Sequence, residues 1–398
     1  MSGFVKYLAQ QAEARETVRT FLSIKPDGKT WRGLLATPPG SALQTILSSF
    51  RTETDMPLEL PFFSFIHSVS QLLMSKGVVV KGSIGTQHME LWTIVLAPSG
   101  SGKTLAYEIV SKAAPVNYHF PEPASGAAFI QALAENPTTH WAQDEFGQKL
   151  KQIEQSGSPM SDCKDYLLRV YSNAKIERKT KHEIITVDDP VLGILGFNVG
   201  ETFLNTLSAE SLVDGFGQRF GYVWAERDES RPWQKYPIYN KQRLGKACDE
   251  AWAKIEGNTI HPVYDLCPTA ESAFAEAFTL LGHQDAAANP SFFRRAMFRA
   301  FKYAVIYHVI LGKENNIIDA EDIGWAARLC HLHINDMGKV LRQKPEIKNT
   351  DTMMDKAKKV KEKADAAGKP LTARMLQQSI RGLNSAEEAQ VILALITD

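Results

Sequence analysis

The stretch LWTIVLAPSGSGKT, residues 91–104, decides the predicted fold. Its apolar beginning, residues 91–96, predicts a strand that is buried on both faces, and residues 105–113 have the pattern of a helix. Glycines between such a strand and helix let consecutive backbone N–H groups turn toward phosphate oxygens, and the helix amino terminus adds positive potential. The stretch therefore predicts a loop that binds the phosphates of ATP.

The polar residues at the end of this loop have predicted roles. The Lys103 amine would reach the β- and γ-phosphates, and the Thr104 hydroxyl would take one position around Mg²⁺. Such loops usually begin with glycine, so Ala97 is a modest departure unless its position needs left-handed backbone geometry. The predicted ATP-binding residues of the loop are Pro98, Ser99, Gly100, Ser101, Gly102, Lys103 and Thr104.

Hydrolysis also needs one carboxylate for the metal and another that orients the attacking water. We assign these roles to Asp144 and Glu145, although residues 138–143 before them are more polar than a usual buried strand. The alternative is a solvated acidic pair at the start of a helix. Asp188–Asp189 is a weaker candidate for the two roles, because it precedes a strand instead of following one.

The pattern around the loop predicts an α/β fold with a parallel sheet at its core, of the P-loop kind found in AAA+ and RecA-like proteins. Residues 191–197 and 220–224 are further buried strands, and residues 292–310 and 322–341 are the best-defined helices. Asp319 or Asp322 would cap the second of these helices. We divide the chain into a helical region 1–77, an ATPase core 78–229, a helical lid 230–345, and a small tail 346–398 that resembles a helix-turn-helix or winged helix.

Composition excludes several classes of protein. Lysine plus arginine equals aspartate plus glutamate at 45 each, so nucleic-acid binding would depend on local patches. The four cysteines are far apart in sequence, which argues against a zinc ribbon or a disulfide framework. No apolar run is long enough to cross a bilayer, and the first residues lack a secretion signal. We therefore expect a cytoplasmic protein without a membrane partner.

The order of motifs resembles that of a known family. The glycine loop is followed by Asp144-Glu145-Phe146-Gly147, by a strand ending in Phe197-Asn198, and by DGFGQRF at residues 214–220. This order is similar to the helicase-like ATPase module of phage and plasmid replication proteins, which is often fused to a primase. It is more distantly similar to the AAA+ ring helicases, including the minichromosome-maintenance and superfamily 3 groups. The resemblance covers about residues 60–340.

The resemblance implies three further roles. Asn198 looks like a sensor that contacts the γ-phosphate or the attacking water, and its alternative is an ordinary turn asparagine. Arg219 looks like an arginine finger that reaches the ATP of a neighbouring subunit, and its alternative is a surface arginine. Arg299 looks like a second sensor that contacts ATP from the lid, with Arg294, Arg295 and Lys302 as competitors. An arginine supplied to a neighbour implies a ring, and the resemblance implies a hexamer.

Residues 175–187 alternate around a cationic tip and predict a β-hairpin. In related ring helicases a hairpin at this place lines the central pore and grips single-stranded DNA; a solvated basic loop is an equal alternative. Two other features of the sequence are interpreted as structural and are assigned no function. The lysine-rich run 356–369 is interpreted as a solvated helix face, and Cys330–His333 as a helical surface. The candidate DNA-binding residues of the hairpin are Lys175, Arg178, Lys179 and Lys181.

These inferences predict an ATP-dependent DNA helicase or translocase that acts in the replication of a phage, plasmid or related mobile element, with ATP and Mg²⁺ as its cofactors and a primase as a candidate partner. The first alternative is an ATPase with another task, such as a helicase loader or a defence effector. The second is an origin-binding initiator that uses ATP only to assemble on DNA.

Overall fold

The computed structural model describes most of the chain and divides it into two compact units, Met1–Met337 and Gly338–Asp398. The predicted boundaries at residues 77 and 229 fall inside the first unit and stay predictions. The described residues are 3–23, 37–82, 85–179, 184–206, 215–228, 239–285, 290–343, 357–366, 368, 370–380, 383, 385, 389–390 and 392–393.

The first unit alternates helices with short strands, as the sequence predicts for an α/β fold. Its strands are β1 (Val79–Gly82), β2 (Gly85–His88), β3 (Trp92–Leu96), β4 (Thr138–Gln143), β5 (Ile176–Lys179), β6 (Ile184–Val187), β7 (Val191–Asn198), β8 (Gly221–Trp224), β9 (Val263–Leu266) and β10 (Ile317–Ile318).

The described helices include the two that the sequence defines best, α11 and α12. The helices are α1 (Gly3–Ser23), α2 (Ala42–Glu53), α3 (Glu59–Ser75), α4 (Lys103–Lys112), α5 (Gly126–Glu135), α6 (Phe146–Glu154), α7 (Cys163–Val170), α8 (Gly200–Thr206), α9 (Lys241–Glu256), α10 (Pro268–Asp285), α11 (Pro290–Leu311), α12 (Ala320–Gln343) and α13 (Ala373–Ser379).

The central sheet has four parallel strands in the order β4-β7-β3-β8. Every residue of β3 and of β7 is buried, which confirms that the apolar runs at residues 91–96 and 191–197 are core strands. In the register, Leu96 lies opposite both Asn198 and Trp224. The strands therefore end together at one side of the sheet, here called the carboxyl edge, and begin together at the opposite side, the amino edge.

β4 forms although its sequence is polar, and its fully buried His140 belongs to a buried hydrogen-bond chain. His140 Nε2 lies 3.0 Å from His67 Nδ1 on α3, and His67 Nε2 lies 2.9 Å from Thr93 Oγ1 on β3. A Cβ atom on Gly193 of β7 would lie 2.6 Å from His140 Cδ2, so glycine leaves room for the ring. Burial lowers the pKa of His140 to about 3 and lowers that of His67 well below 6.5.

α12 is a core helix, and the expectation that its Cys330–His333 stretch is a surface is wrong. Cys330 and His333 are both fully buried, and His333 bonds the Tyr303 hydroxyl and the Tyr222 carbonyl. No cluster of three metal-ligating side chains occurs among the described residues. The cap is Asp319, whose Oδ1 accepts the N–H groups of Glu321 and Asp322.

A second sheet in the first unit has the strand order β10-β9-β1-β2, in which only the β1–β2 pair is antiparallel. In the second unit, α13 is capped by Thr372 and contributes to a small apolar core. Much of the tail, residues 346–398, lies outside the described residues, so the helix-turn-helix stays a prediction. None of the described helices is long and apolar enough to cross a membrane.

Candidate functional site

The glycine loop leaves β3 at the carboxyl edge and leads directly into α4. Gly100 and Gly102 have left-handed backbones, with φ of 70° and 83°, which glycine adopts without strain. Ala97 is not among the described residues with positive φ, and its N–H donates to the Asn198 carbonyl at 3.0 Å. Ala97 therefore continues the strand, and alanine is compatible with the place where such loops usually have glycine.

Lys103 is held against the loop that precedes it. Its side chain is largely buried, and Nζ donates to the Pro98 carbonyl at 3.2 Å. Met56, from the segment between α2 and α3, packs on the other end of the loop: a Cβ on Gly102 would lie 2.6 Å from its Cε. The helical region before the sheet therefore helps to shape the loop.

The structure brings Thr104 and Asp144 together. The Thr104 hydroxyl donates to Asp144 Oδ2 at 2.7 Å, and Asp144 Oδ1 accepts the Glu145 N–H at 2.9 Å. Asp144 follows β4 directly, so the order β4-β7-β3 places it beside the glycine loop. Asp188–Asp189 precedes β7 and lies at the amino edge, which removes it as an alternative partner of the loop.

Glu145 turns the chain sharply from β4 into α6. Its φ of 51° and ψ of 37° are left-handed, a conformation that costs a residue with a side chain on the order of 1 kcal/mol. Its side chain is exposed at the carboxyl edge, as is that of Asp144. The turn therefore places two exposed acidic residues in succession at the carboxyl edge, where β4 has just ended.

Asn198 ends β7 between the loop and the acidic pair, and it is 1% exposed. Its Oδ1 accepts the Gly147 N–H at 3.0 Å, while its Nδ2 donates to the Val199 carbonyl and to Thr202 Oγ1. All polar atoms of this side chain thus have protein partners. The arrangement makes Asn198 a link between β7 and the start of α6, and direct contact with phosphate or water stays a prediction.

Arg219 and Arg299 lie at the amino edge. Arg219 precedes β8, donates to the Gly215 carbonyl at 2.6 Å, and has its guanidinium 5.3 Å from the Tyr171 ring centre. Arg299 donates to the Arg219 carbonyl at 2.7 Å. At about 3.3 Å per residue, the length of β3 separates both arginines from the glycine loop. This placement argues against contact of Arg299 with ATP on its own chain, whereas Arg219 could serve only another chain.

Arg227 also lies at the carboxyl edge, and the sequence alone did not single it out. The chain leaves β8 there, since the Ala225 N–H donates to the Leu96 carbonyl at 2.7 Å. Arg227 Nη2 lies 3.9 Å from Asp55 Oδ2, next to the Met56 that packs on the loop. The signal in the sequence was its position just after an apolar strand that pairs with β3.

The predicted hairpin at residues 175–187 is confirmed, with β5 and β6 paired antiparallel from Ile176↔Val187 to Lys179↔Ile184. Lys179 is exposed, and the exposed Lys175 pairs with Asp188 at 3.3 Å.

Arg178 is half-buried and turns toward α7. There, burial raises the pKa of the Cys163 thiol to about 12, and the neighbouring Arg178 charge opposes that rise. Lys181, at the tip, lies outside the described residues. Of the four hairpin cations predicted to bind DNA, two are thus shown to face solvent.

Comparison of the sequence with known proteins identified no relative of this chain. The sequence matches no protein-family model, and no curated protein shows significant similarity to it. The contacts at the carboxyl edge are therefore the observations that bear on function.

Proposed function

We propose that this chain is a P-loop ATPase that binds ATP and Mg²⁺ at the carboxyl edge of its central sheet. The hydrogen bond between Thr104 and Asp144 carries the proposal, because it joins the end of the glycine loop to an acid on a strand two positions away. Hydroxyl and carboxylate oxygens are the donors that Mg²⁺ prefers, so this pair fits the ion. When bound, Mg²⁺ would neutralise charge on the phosphates.

The remaining residues of the edge fit the needs of hydrolysis. Backbone N–H groups of the loop and the amino terminus of α4 would hold phosphate oxygens, and the Lys103 amine would reach the terminal phosphates. The exposed Glu145 carboxylate would orient the attacking water and accept its proton. Asn198 would keep Glu145 in place through its bond to Gly147, two residues further along the chain.

We further propose that the energy of ATP drives movement along DNA, as a helicase or translocase in the replication of a mobile element. The exposed Lys179 and Lys175 on the β5–β6 hairpin support contact with a phosphate backbone. Arg219, at the edge opposite the glycine loop, supports a head-to-tail ring in which each chain supplies an arginine to its neighbour. A hexamer with single-stranded DNA in its pore is the arrangement proposed.

The substitution Lys103→Ala tests the ATP site. We expect ATP hydrolysis to fall at least about a hundredfold, because the amine that neutralises the terminal phosphates is lost. Lys112→Ala, at the exposed end of the same helix, is the matched control and should keep wild-type activity. Normal hydrolysis by the Lys103→Ala chain would show that the site is assigned wrongly.

Strand displacement on a forked DNA substrate separates the helicase from its alternatives. A helicase displaces the strand in an ATP-dependent manner, whereas a loader or a defence ATPase hydrolyses ATP without displacing it. An origin-binding initiator would bind DNA tightly with ATP and show turnover close to zero. The exposed Glu145 disfavours this last class, because a pure assembly switch needs no carboxylate to orient water.

Mixing two inactive chains tests the role of Arg219 in a neighbouring chain. Lys103→Ala and Arg219→Ala chains should together regain part of the ATPase activity, because some interfaces would combine an intact loop with an intact arginine. Exchange of subunits is checked first, by energy transfer between labelled chains. With exchange established, a mixture that stays inactive at every ratio would contradict the ring arrangement.

A further inference from the structure

A small cavity of about 180 Å³ opens at the amino edge of the central sheet. One side of α11 lines it with Arg295, Arg299 and Lys302, which lie at helical spacings of four and three residues and therefore share a face. Glu90 and Trp92, at the start of β3, form part of the opposite side. Nothing in the proposed ATP site uses this cavity.

The cavity has more positive than negative charge. Glu90 is the carboxylate among its lining residues, and it pairs with Lys302 at 2.8 Å. Arg295 donates to Gln218 Oε1, an uncharged partner, and Arg299 donates to backbone carbonyls. Within the part of the chain that the structure describes, neither arginine pairs with a carboxylate.

Arg299 is the best indication that the cavity receives an anion. The residue is 4% exposed, and its Nη2 donates to the Arg219 carbonyl at 2.7 Å. Its Nη1 is buried and has no hydrogen-bond partner in the described structure. A buried guanidinium with an unsatisfied donor is costly, and the negative charge of an anion in the cavity that Arg299 lines would lower that cost.

Arg295, the second arginine of the cavity, lies near another guanidinium group, that of Arg219. Gly215 has φ of 94°, and a Cβ placed on it would lie 3.3 Å from both terminal nitrogens of Arg295 and 3.4 Å from Arg219 Nη1. The guanidinium groups of Arg295 and Arg219 therefore approach the same glycine, and Arg295 also lines the cavity. Cations gathered at a concave, partly apolar wall concentrate positive potential there.

We propose that this cavity binds a phosphate group. At about 180 Å³ it is larger than the roughly 30 Å³ that a water molecule occupies and smaller than the 300–1,000 Å³ of sites that enclose a whole small molecule. Two guanidinium forks and one amine match an oxyanion with several acceptor oxygens better than a single carboxylate. The group is either a free or nucleotide phosphate or one phosphate of a nucleic-acid backbone.

Isothermal titration with inorganic phosphate tests the proposal in a Lys103→Ala chain of full length, in which the glycine loop is weakened. The outcome is then independent of whether the carboxyl edge binds ATP. We expect saturable binding of phosphate, and an increase in Kd of about tenfold or more when Arg295→Gln is added, because one charged fork is lost. Arg294→Gln, an exposed neighbour on the same helix, is the control and should leave Kd unchanged.

Arg299→Gln is the second variant, and its fold is checked by circular dichroism because the side chain also contacts backbone carbonyls. A folded Arg299→Gln chain should lose phosphate binding. No saturable binding up to about 10 mM phosphate, or equal affinity with and without Arg295→Gln, would overturn the proposal. Displacement of phosphate by a single-stranded oligonucleotide would support a backbone phosphate as the ligand, and displacement by nucleotides alone a free one.

Discussion

The two edges of the central sheet differ in how they would hold an anion. At the carboxyl edge, a glycine loop offers backbone N–H groups and one lysine opposite two carboxylates, Asp144 and Glu145. At the amino edge, Arg295, Arg299 and Lys302 surround a cavity with a single carboxylate. The first arrangement contains acids that can take part in a reaction, whereas the second contains mainly donors and is suited to binding alone.

The two edges also differ in how specifically the sequence indicates them. Backbone recognition needs glycines at fixed positions, which leaves a motif. Recognition by side chains of one helix needs only basic residues at ordinary helical spacing, so the sequence offers four basic residues of α11 as candidates without indicating at which edge of the sheet they lie. The variants below test whether chemistry is confined to the carboxyl edge.

Glu145→Gln should have the largest effect. We expect the rate of ATP hydrolysis to fall about 10²–10⁴-fold, because the amide cannot accept the proton of the attacking water. ATP affinity should change less than about threefold, since the loop and Thr104–Asp144 remain. Rapid-quench hydrolysis and fluorescent-nucleotide binding measure the two quantities. Glu135→Gln, which changes an exposed acid at the end of α5, is the control. A Glu145→Gln chain that hydrolyses ATP at the wild-type rate would show that Glu145 does not activate the water.

Asn198→Ala should have the next largest effect, because it breaks the link between β7 and α6. The Gly147 N–H would lose its acceptor, which costs about 1–3 kcal/mol of stability, and displacement of Glu145 should reduce kcat about tenfold with little change in KM. Steady-state kinetics and urea unfolding measure these changes. Thr202→Ala keeps the Gly147 bond and should stay close to wild type; if both variants lose kcat equally, the link does not position Glu145.

Acid should weaken the core that joins the edges, through His67 and His140. Their pKa values in the folded chain lie below the unfolded value of about 6.5, so the unfolded chain takes up protons first as pH falls. Stability is therefore fully present above about pH 6.5 and decreases by about 1.4 kcal/mol per pH unit for each histidine below it.

Urea unfolding at pH 7.5 and pH 5 measures this loss in the wild type and in His140→Gln. The variant should lose about 2 kcal/mol less than the wild type over this range, because one of the two histidines no longer titrates. Equal losses in both proteins would mean that His140 is not held neutral in the folded chain.

Ala97→Gly, which restores the usual first residue of such loops, should have the smallest effect. Ala97 continues β3, so glycine there only increases the freedom of the unfolded chain and lowers stability by about 0.5–1 kcal/mol. ATP affinity should change less than about twofold. A large gain in affinity would instead indicate that the methyl group hinders the loop.

The sequence was sufficient where local pattern and final environment agree. Residues 91–104 combine a buried strand, a glycine loop and a helix start, and each of these is determined locally. β4 was harder to predict, because its buried His140 depends on His67, 73 residues earlier in the chain. The sheet edge at which Arg299 lies depends on how α11 packs against the sheet. Helical periodicity alone does not predict that packing. The same is true of Arg227, whose partner Asp55 lies far away in sequence.

The strand order has a consequence for synthesis on the ribosome. β7 lies between β3 and β4, yet it follows both of them in the chain, about fifty residues after β4. A nascent chain that ends before residue 191 therefore carries the apolar β3 and the more polar β4 without the strand that pairs with both of them. Synthesis of β7 joins β3 to β4, and β8 is added later, so products truncated before residue 191 should be the ones that aggregate or recruit chaperones.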